Sequence, residues 1–555
     1  MTNKKRRVLI HSALASAIAA IGLRDFNAEA RNPVRGSSGD APSAIDVHIE
    51  LRAAEEDIAI RPGKKTRVWR YRSKLVSGDA DALEPSLGGY LGPVIRVRRG
   101  QRVRIDLINE LPESTIIHWH GLHVPEAMDG HPRFAIEPGA RYVYVFTVVN
   151  RAGSYWFHPH PHGRTGKQVY FGLSGMFLVS DDEEAALNLP SGVHDIPLVV
   201  QDRTFDADNQ FVYPSANMAG GRPENTGNRG MMGGMMGGDG MMGGKNNNGM
   251  RMRGMGQMMA RMMGVLGDRI LVNGQADARL SLEGRSYRLR LLNASNSRMY
   301  KLAWDDGSPL TVIGTDGGLL ERPLQRTYIM LAPAERVDLW VDFSRWPAGT
   351  ELTLQSLAFE GGMVMGGMMG GTPLPDGAQF PVLKVRVAQG ATNAASLPQR
   401  LVELPPPNPR LAVNFNSPKV FNLTMGMMVW GINGRSFDMH GATALETVRL
   451  GTHEIWEFRN DAQSGMMGPM AHSMHVHGLQ FRVLGRSVSG DYAVAHDSVK
   501  AGYLDEGWKD TVLVMPGERV RILLRFADYP GLFLYHCHML EHEDSGLMRN
   551  YLVKA

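Results

Sequence analysis

A four-residue motif that recurs at long intervals is the feature that most limits how this chain folds. It reads Pro-(Gly/Ala)-(Ala/Glu)-Arg and occurs at 138–141, 333–336 and 516–519. Each copy is followed by a segment of alternating apolar and polar residues and preceded by a similar segment that ends in Asn, which is the pattern of paired β-strands. Three such units in series, each about 150 residues long, predict three Greek-key β-sandwiches.

The spacing of the motif also predicts the domain bounds. We expect a first domain over 45–182, a second over 195–390 and a third over 410–555. Gly and Pro punctuate the strands throughout and no long amphipathic helix stands out, so the fold class is predicted to be all-β. The net charge of +4 comes mostly from residues 1–30 and does not suggest a nucleic-acid-binding surface.

The first thirty residues have the features of an export signal. Arg6 and Arg7 precede an apolar run from Val8 to Leu23, and a small-x-small cleavage site follows at 28–30. Twin-arginine signals of this kind direct folded proteins into a bacterial periplasm. A membrane anchor is the alternative, but the run is shorter than the roughly twenty residues that a span needs. We therefore predict a periplasmic protein without a stable membrane anchor, acting as a monomer.

Ten of the nineteen histidines fall in four short clusters whose positions follow the repeat. In the first and third units, one His-x-His pair begins twenty residues after the proline of the motif, and another, followed by Gly-Leu, precedes the motif. The middle unit has no His-x-His pair. On a strand, both imidazoles of such a pair point to one face, about 7 Å apart, so one pair is able to serve two metal ions. The ten histidines are His118, His120, His158, His160, His472, His475, His477, His536, His538 and His542.

The single cysteine, Cys537, identifies the metal. It lies between His536 and His538, so its side chain must point away from both. Together with His472 and His542, its thiolate gives the His₂Cys set of a blue copper site. The other eight imidazoles suit a cluster of about three metal ions. One copper ion would then collect single electrons, and three would deliver them to a common acceptor.

With these motifs the chain resembles three-domain multicopper oxidases over essentially its full mature length, and in particular bacterial periplasmic cuprous oxidases and laccases. The resemblance is carried by four segments, 118–121, 156–160, 472–477 and 536–542. Further stretches such as Trp508-Lys-Asp-Thr-Val are similar to the cuprous oxidases of copper efflux. It implies three cupredoxin-like Greek-key β-sandwich domains and four copper ions. The implied ligands are His472, Cys537 and His542 for type 1 copper, His118 and His475 for type 2 copper, and His120, His158 and His538 with His160, His477 and His536 for the type 3 pair.

The resemblance also implies roles for residues around the metal ions. Asp129 and Glu543 match family acids that supply protons, which the reduction of O₂ to water consumes. The axial position of type 1 copper falls on Leu547, which does not ligate, and this predicts a raised reduction potential. Asp510 and Arg298 are interpreted as structural.

Methionine is unusually frequent, and thirteen of the 34 methionines lie between 231 and 263 in a Gly-rich insertion over 218–264 of the second domain. Gly spacers offer no surface for burial, so core packing does not explain this Met-rich tract. A flexible linker and an oxidation sink are alternatives. We favour recruitment of Cu(I), which thioethers bind. The candidate ligands of substrate copper are Met466, Met467 and Met470.

Taken together, these features predict an enzyme that oxidises Cu(I) at type 1 copper and reduces O₂ to water, for copper tolerance. A laccase-like oxidation of phenolic or other small organic donors is the alternative, and the axial Leu547 favours it. A non-enzymatic alternative is a copper-sequestering protein whose Met-rich tract buffers metal. A two-domain nitrite reductase is excluded because it would lack the type 3 histidine pairs.

Overall fold

The computed structural model describes residues 44–213, 263–360, 374–393, 396–426, 429–461 and 470–555. The predicted export signal, nearly all of the Met-rich tract, and Met466 and Met467 lie outside these residues. Within them, no helix combines the length and the apolar character that crossing a bilayer requires.

The first sandwich is built from strands between residues 47 and 180. They are β1 (Val47–Ile58), β2 (Thr66–Ser77), β3 (Leu83–Glu84), β4 (Val94–Arg98), β5 (Arg102–Asn109), β6 (Ile117–His120), β7 (Arg141–Thr147), β8 (Gly153–Pro159) and β9 (Gly175–Ser180). One sheet has the order β2-β1-β5-β7 and the other the order β3-β4-β9-β8-β6. Buried side chains such as Ile49, Ile105 and Phe157 belong to one apolar core of this sandwich.

The middle sandwich has a strand that is shared by both of its sheets. Its strands are β10 (Asp195–Arg203), β11 (Arg269–Val272), β12 (Gln275–Ala276), β13 (Arg279–Asn293), β14 (Tyr300–Trp304), β15 (Leu310–Thr315), β16 (Gly318–Arg326), β17 (Ile329–Leu331), β18 (Arg336–Asp342), β19 (Glu351–Ser356) and β20 (Phe380–Asn393). The first part of β13 pairs with β20, and its second part lies between β10 and β18. The shared strand therefore passes from one sheet to the other.

The third sandwich again has two sheets. Its strands are β21 (Lys419–Gly426), β22 (Val429–Ile432), β23 (Thr447–Arg449), β24 (Thr452–Arg459), β25 (His472–Val476), β26 (Phe481–Val488), β27 (Thr511–Val514), β28 (Glu518–Phe526), β29 (Gly531–Cys537) and β30 (Met548–Lys554). The sheet orders are β22-β21-β24-β28-β26 and β23-β30-β29-β25-β27.

Helices are few and short in the described chain. The α-helices are α1 (Thr165–Phe171), α2 (Asp182–Ala185), α3 (Ala493–Val499) and α4 (Leu540–Asp544). The 3₁₀ helices are Ala80–Ala82, Glu126–Met128, Pro132–Phe134, Gly192–His194, Phe343–Arg345, Pro409–Leu411, Gly490–Tyr492 and Lys500–Gly502. The all-β prediction is confirmed.

The recurring Pro-x-x-Arg motif forms the same turn in all three sandwiches. The second residue of each copy has a left-handed φ of 82°, 72° and 73° in chain order. Its N–H donates to the main-chain oxygen of the Asn that ends the preceding segment: Gly139 to Asn109 at 2.7 Å, Ala334 to Asn293 at 2.8 Å and Gly517 to Asn460 at 2.8 Å. The side-chain amide of each Asn donates in turn to a main-chain oxygen two residues before the motif's proline. This bonding explains why each of the preceding segments ends in Asn.

Candidate metal centre

The His-x-His pairs lie opposite each other on neighbouring strands in both the first and the third sandwich. On β6 and β8, His118 is the register partner of His158. On β25 and β29, His475 is the register partner of His536. Because the two sandwiches meet at these strands, the imidazoles of one approach the imidazoles of the other.

Eight buried imidazoles form one cluster between the two sandwiches, and each is at most 1% exposed. We call these eight residues the histidine cluster: His118, His120, His158, His160, His475, His477, His536 and His538. The Nε2 atoms of His118 and His475 are 3.3 Å apart.

The other six histidines fall into two groups of three. In the first, Nε2 of His158 lies 3.2 Å from Nε2 of His538 and 3.4 Å from Nδ1 of His120. In the second, Nε2 of His536 lies 2.9 Å from Nε2 of His477 and 3.3 Å from Nε2 of His160. The cluster thus divides into one pair and two trios, the same groups that the resemblance implied for type 2 and type 3 copper.

Hydrogen bonds at the outer edge of the cluster fix which nitrogen faces inward. In five histidines, Nδ1 lies within 2.7–3.1 Å of an oxygen that is able only to accept, so Nδ1 carries the proton and Nε2 has a lone pair. These histidines are His118, His158, His475, His477 and His536. Two lone pairs 3.3 Å apart repel each other unless a cation lies between them. The donor set therefore fits bound metal ions, and imidazole suits copper.

His120 is oriented the other way. Its Nε2 lies 3.0 Å from Oδ1 of Asp510 and 3.1 Å from the Thr511 hydroxyl, and its Nδ1 faces His158. Asp510, interpreted as structural from the sequence, directly contacts a candidate metal ligand through its carboxylate. Burial raises the pKa of Asp510, and the Arg336 guanidinium opposes that shift. Arg298, also interpreted as structural, pairs with Asp202 at 2.8 Å.

Burial keeps six of the cluster histidines neutral. It is the largest cause that lowers the pKa of six of them well below the usual range, and the neighbouring imidazoles lower it further. The six are His120, His158, His160, His475, His477 and His538. A neutral imidazole is the form that binds a metal ion.

The second candidate site lies entirely within the third sandwich. Sγ of Cys537, at the end of β29, lies 3.6 Å from Nδ1 of His472 and 3.8 Å from Nδ1 of His542, which α4 carries. The three residues are at most 1% exposed. Burial raises the pKa of the Cys537 thiol to about 12, so a thiolate here needs a cation beside it. We call Cys537, His472 and His542 the cysteine site.

Apolar side chains surround the cysteine site. Leu547 is fully buried, its N–H donates to the main-chain oxygen of His542, and its own oxygen accepts from the N–H of Cys537. The indole of Trp430 packs on both imidazoles, with ring centroids 4.5 Å from His542 and 5.0 Å from His472. Met470 is 5% exposed and belongs to the same apolar core. No pattern in the sequence pointed to Trp430.

The two acids expected to supply protons both lie at the histidine cluster and are 1% exposed. Oδ2 of Asp129 accepts from Nδ1 of His477 at 2.8 Å, and the main-chain oxygen of Asp129 accepts from His118. Oε2 of Glu543 is 3.1 Å from Nδ1 of His536. Both carboxylates are therefore within hydrogen-bond distance of candidate metal ligands.

Comparisons with known proteins agree with this donor chemistry. Family models described as multicopper oxidase match residues 86–184 and 412–555. A multicopper oxidase of Staphylococcus haemolyticus is 30% identical over 83% of this chain and 81% of its own length. A laccase of Bacillus subtilis is 29% identical over 87% of this chain and 90% of its own length. The crystal structure of the McoA multicopper oxidase from Aquifex aeolicus matches with a TM-score of 0.71 at 34% identity, covering 92% of this chain and 96% of that one.

These similarities extend over all three sandwiches. They confirm the cupredoxin-like fold and the resemblance that the histidine and cysteine motifs indicated. The chain belongs to the multicopper oxidases, copper-dependent oxidoreductases that pass electrons from a reducing substrate to O₂.

Proposed function

We propose that this multicopper oxidase works in the periplasm, oxidises Cu(I) to Cu(II) and reduces O₂ to water, and so contributes to copper tolerance. It would hold four copper ions: type 1 on the cysteine site, type 2 on His118 and His475, and the type 3 pair on His120, His158 and His538 with His160, His477 and His536. Bound copper would supply one-electron uptake from the donor and electron transfer to O₂. The residues of the chain hold the ions, supply protons and control access.

The observation that carries the choice of Cu(I) is where the Met-rich segments join the described chain. Four residues each lie within two positions of a segment outside the described residues: Met263, Phe359, Trp430 and Met470. Those segments contain most of the methionines of the chain. All four belong to one apolar core together with Cys537. Thioethers bind Cu(I) and largely ignore hard ions. The segments that contain the soft ligands are thus joined to the chain at residues of the same apolar core as the thiol that would accept the electron.

Polar contacts hold the described residues that flank the Met-rich tract. Glu541 on α4 accepts hydrogen bonds from the Tyr213 hydroxyl and from the Val265 N–H, both at 3.0 Å, on either side of the tract. Arg298 donates to a main-chain oxygen shortly after each of two Met-rich segments, at 2.7 Å in both cases. Since α4 also carries His542, these contacts favour delivery of Cu(I) to the cysteine site.

Trp430 favours a metal ion over a bulky donor. Its indole packs on both imidazoles of the cysteine site, and the described residues leave no imidazole face open for a phenol ring. An ion bound by methionines of the same core needs no such face. Oxidation of phenolic donors is the second candidate, because a buried Leu547 at the axial position predicts the higher potential that such donors require.

Proton supply is assigned to two acids at the histidine cluster. Asp129 bonds His477 and Glu543 lies 3.1 Å from His536, and both histidines belong to the same trio of ligands. Reduction of O₂ consumes one proton for each electron, so buried carboxylates at this position relay protons from solvent. Export by the twin-arginine signal would place the reaction in the periplasm, where oxidation to Cu(II) leaves the copper less membrane-permeant.

The test is an anaerobic Cu(I) titration of the copper-loaded enzyme followed by measurement of O₂ consumption. We expect one O₂ consumed for every four Cu(I) oxidised, because four electrons reduce O₂ to two waters. Deleting 218–264, or replacing its methionines with glutamine at the same length, should lower the rate with Cu(I) and leave phenol oxidation intact. Equal losses for both donors would favour the laccase-like function. No O₂ uptake by the loaded protein with either donor would indicate copper sequestration.

A further inference from the structure

One side chain of the middle sandwich contacts Asp510, which bonds the histidine cluster, although that sandwich carries no His-x-His pair. It is Arg336, the arginine of its Pro-x-x-Arg turn. The equivalent Arg141 and Arg519 have side chains that are 49% and 48% exposed, and they pair with the buried Asp106 and with the exposed Asp461. The Arg336 side chain is 0% exposed. The same turn thus places one arginine of three in the interior.

Arg336 satisfies all five of its N–H donors, as a buried guanidinium requires. The acceptors come from all three sandwiches: Ser154 O at 2.9 Å, Ala334 O at 3.0 Å, Asp316 O at 3.0 Å, and Asp510 Oδ1 and Oδ2 at 2.6 and 2.5 Å. The bidentate contact with Asp510 fixes both the position and the plane of that carboxylate.

Asp510 in turn bonds two histidines of the cluster. Its Oδ1 accepts from Nε2 of His120 at 3.0 Å, and its main-chain oxygen accepts from Nδ1 of His475 at 2.8 Å. With the proton on Nε2, the lone pair of His120 is on Nδ1, which lies 3.4 Å from Nε2 of His158. The carboxylate therefore determines which nitrogen of His120 is available to a metal ion.

Gly121, directly after His120, shows how closely the ion pair fits. It has a φ of +84°, and a Cβ at this position would lie 2.4 Å from Oδ2 of Asp510 and 2.8 Å from Nη2 of Arg336. The glycine of the His-Trp-His-Gly motif is therefore required by the ion pair as well as by its own backbone conformation.

We propose that Arg336 is a positioning residue for the type 3 copper pair: it holds Asp510 so that His120 presents Nδ1 to the metal. The middle sandwich, which supplies no ligand, thereby helps to determine the geometry of a site built by the other two. The inference rests on the proposed ligand assignment. Carboxylates that bond a metal-binding histidine orient the ring and tune metal affinity.

The test compares Arg336→Lys with Arg519→Lys, the same change at a surface copy of the turn. Lysine keeps the charge but is unable to make the bidentate contact. Full-length, copper-loaded protein is measured for copper per chain, blue absorption, the share of copper that is silent in EPR because its spins are paired, and O₂ uptake with an organic donor. For Arg336→Lys we expect unchanged blue absorption, a smaller EPR-silent share and O₂ uptake lower by about 10- to 100-fold. Arg519→Lys should match the wild type.

Two results would overturn the proposal. One is an unchanged EPR-silent share in Arg336→Lys. The other is a parallel loss of blue absorption and of the EPR-silent share with a lower melting temperature, because Arg336 would then only hold the sandwiches together. If Arg336→Lys does not fold, the same measurements are made on Asp510→Asn and Gly121→Ala. A normal EPR-silent share of copper in both variants overturns the proposal. Wild-type protein that binds no EPR-silent pair would instead refute the ligand assignment.

Discussion

The two candidate metal sites differ in what surrounds them. The histidine cluster lies between two sandwiches. Its outer nitrogens bond main-chain oxygens and the carboxylates of Asp129 and Asp510, and the Glu543 carboxylate lies 3.1 Å from His536. The cysteine site lies within one sandwich, among Leu547, Trp430 and the methionines of an apolar core. The difference indicates that the chain separates proton handling from electron entry, since carboxylates relay protons and a buried thiolate site exchanges only electrons.

Cys537→Ser should have the largest effect, because it removes the soft ligand of the electron-entry site and leaves the histidine cluster intact. We expect loss of the blue absorption, about one copper ion fewer per chain, and O₂ uptake lower by about 100-fold or more with any donor. Absorption spectra, metal analysis and an oxygen electrode measure the three quantities. If the variant stays blue, Cys537 is not the copper ligand and the comparison between the two sites is wrong.

Glu543→Gln tests the other side of the comparison. The amide keeps the shape of the side chain but is unable to pass on a proton, so O₂ uptake should fall by about 100-fold. Blue absorption and its rate of bleaching by an anaerobic donor should not change, because electron entry is elsewhere. Asp528→Asn is the matched control, since Asp528 pairs with His123 in the described chain without contacting the cluster. A slower anaerobic bleaching in Glu543→Gln would contradict the separation of the two functions.

The sequence predicted the parts of this arrangement that follow from local periodicity. The repeated turn indicated three sandwiches, and the spacing of the His-x-His pairs relative to Pro138 and Pro516 indicated that they share equivalent strands. The position of Cys537 between two histidines determined which way its thiol points, because side chains alternate along a strand.

Contacts between distant segments were not predictable in this way. Arg336 and Asp510 are 174 residues apart in different sandwiches, and the repeat gave no reason to expect one buried arginine among three similar turns. The inverted orientation of His120 depends on that pair, so it was also missed. The only sequence signal for this pair would be a comparison of the charged residues around the three turns. Asp510 would enter that comparison because it lies in a stretch that already resembled the family.

Trp430→Ala should change donor preference rather than abolish activity. Removing the indole opens the imidazoles of the cysteine site to ring-shaped donors, so kcat/KM for a phenol should rise by about tenfold relative to that for Cu(I). Trp430→Phe is the control, because it keeps an aromatic cover of similar position. Steady-state kinetics with both donors measure the ratio. An unchanged ratio with normal blue absorption would show that Trp430 does not limit access.

Leu547→Met should have the smallest structural effect and tests how the apolar site sets its reduction potential. Leu and Met have similar volumes, so the swap should cost less than about 1.5 kcal/mol of folding free energy. Leu547 is held beside Cys537 and His542 by two main-chain hydrogen bonds, so a thioether there would lie at the same place relative to both ligands. A thioether stabilises Cu(II) more than an alkyl group does, and we expect a lower potential in a redox titration followed by the blue absorption. Leu524→Met, in the same core but on the other sheet, should leave the potential unchanged. An unchanged or higher potential in Leu547→Met would refute the axial assignment. The variant therefore distinguishes a site whose reduction potential is set by the missing axial ligand from one whose potential is set only by burial.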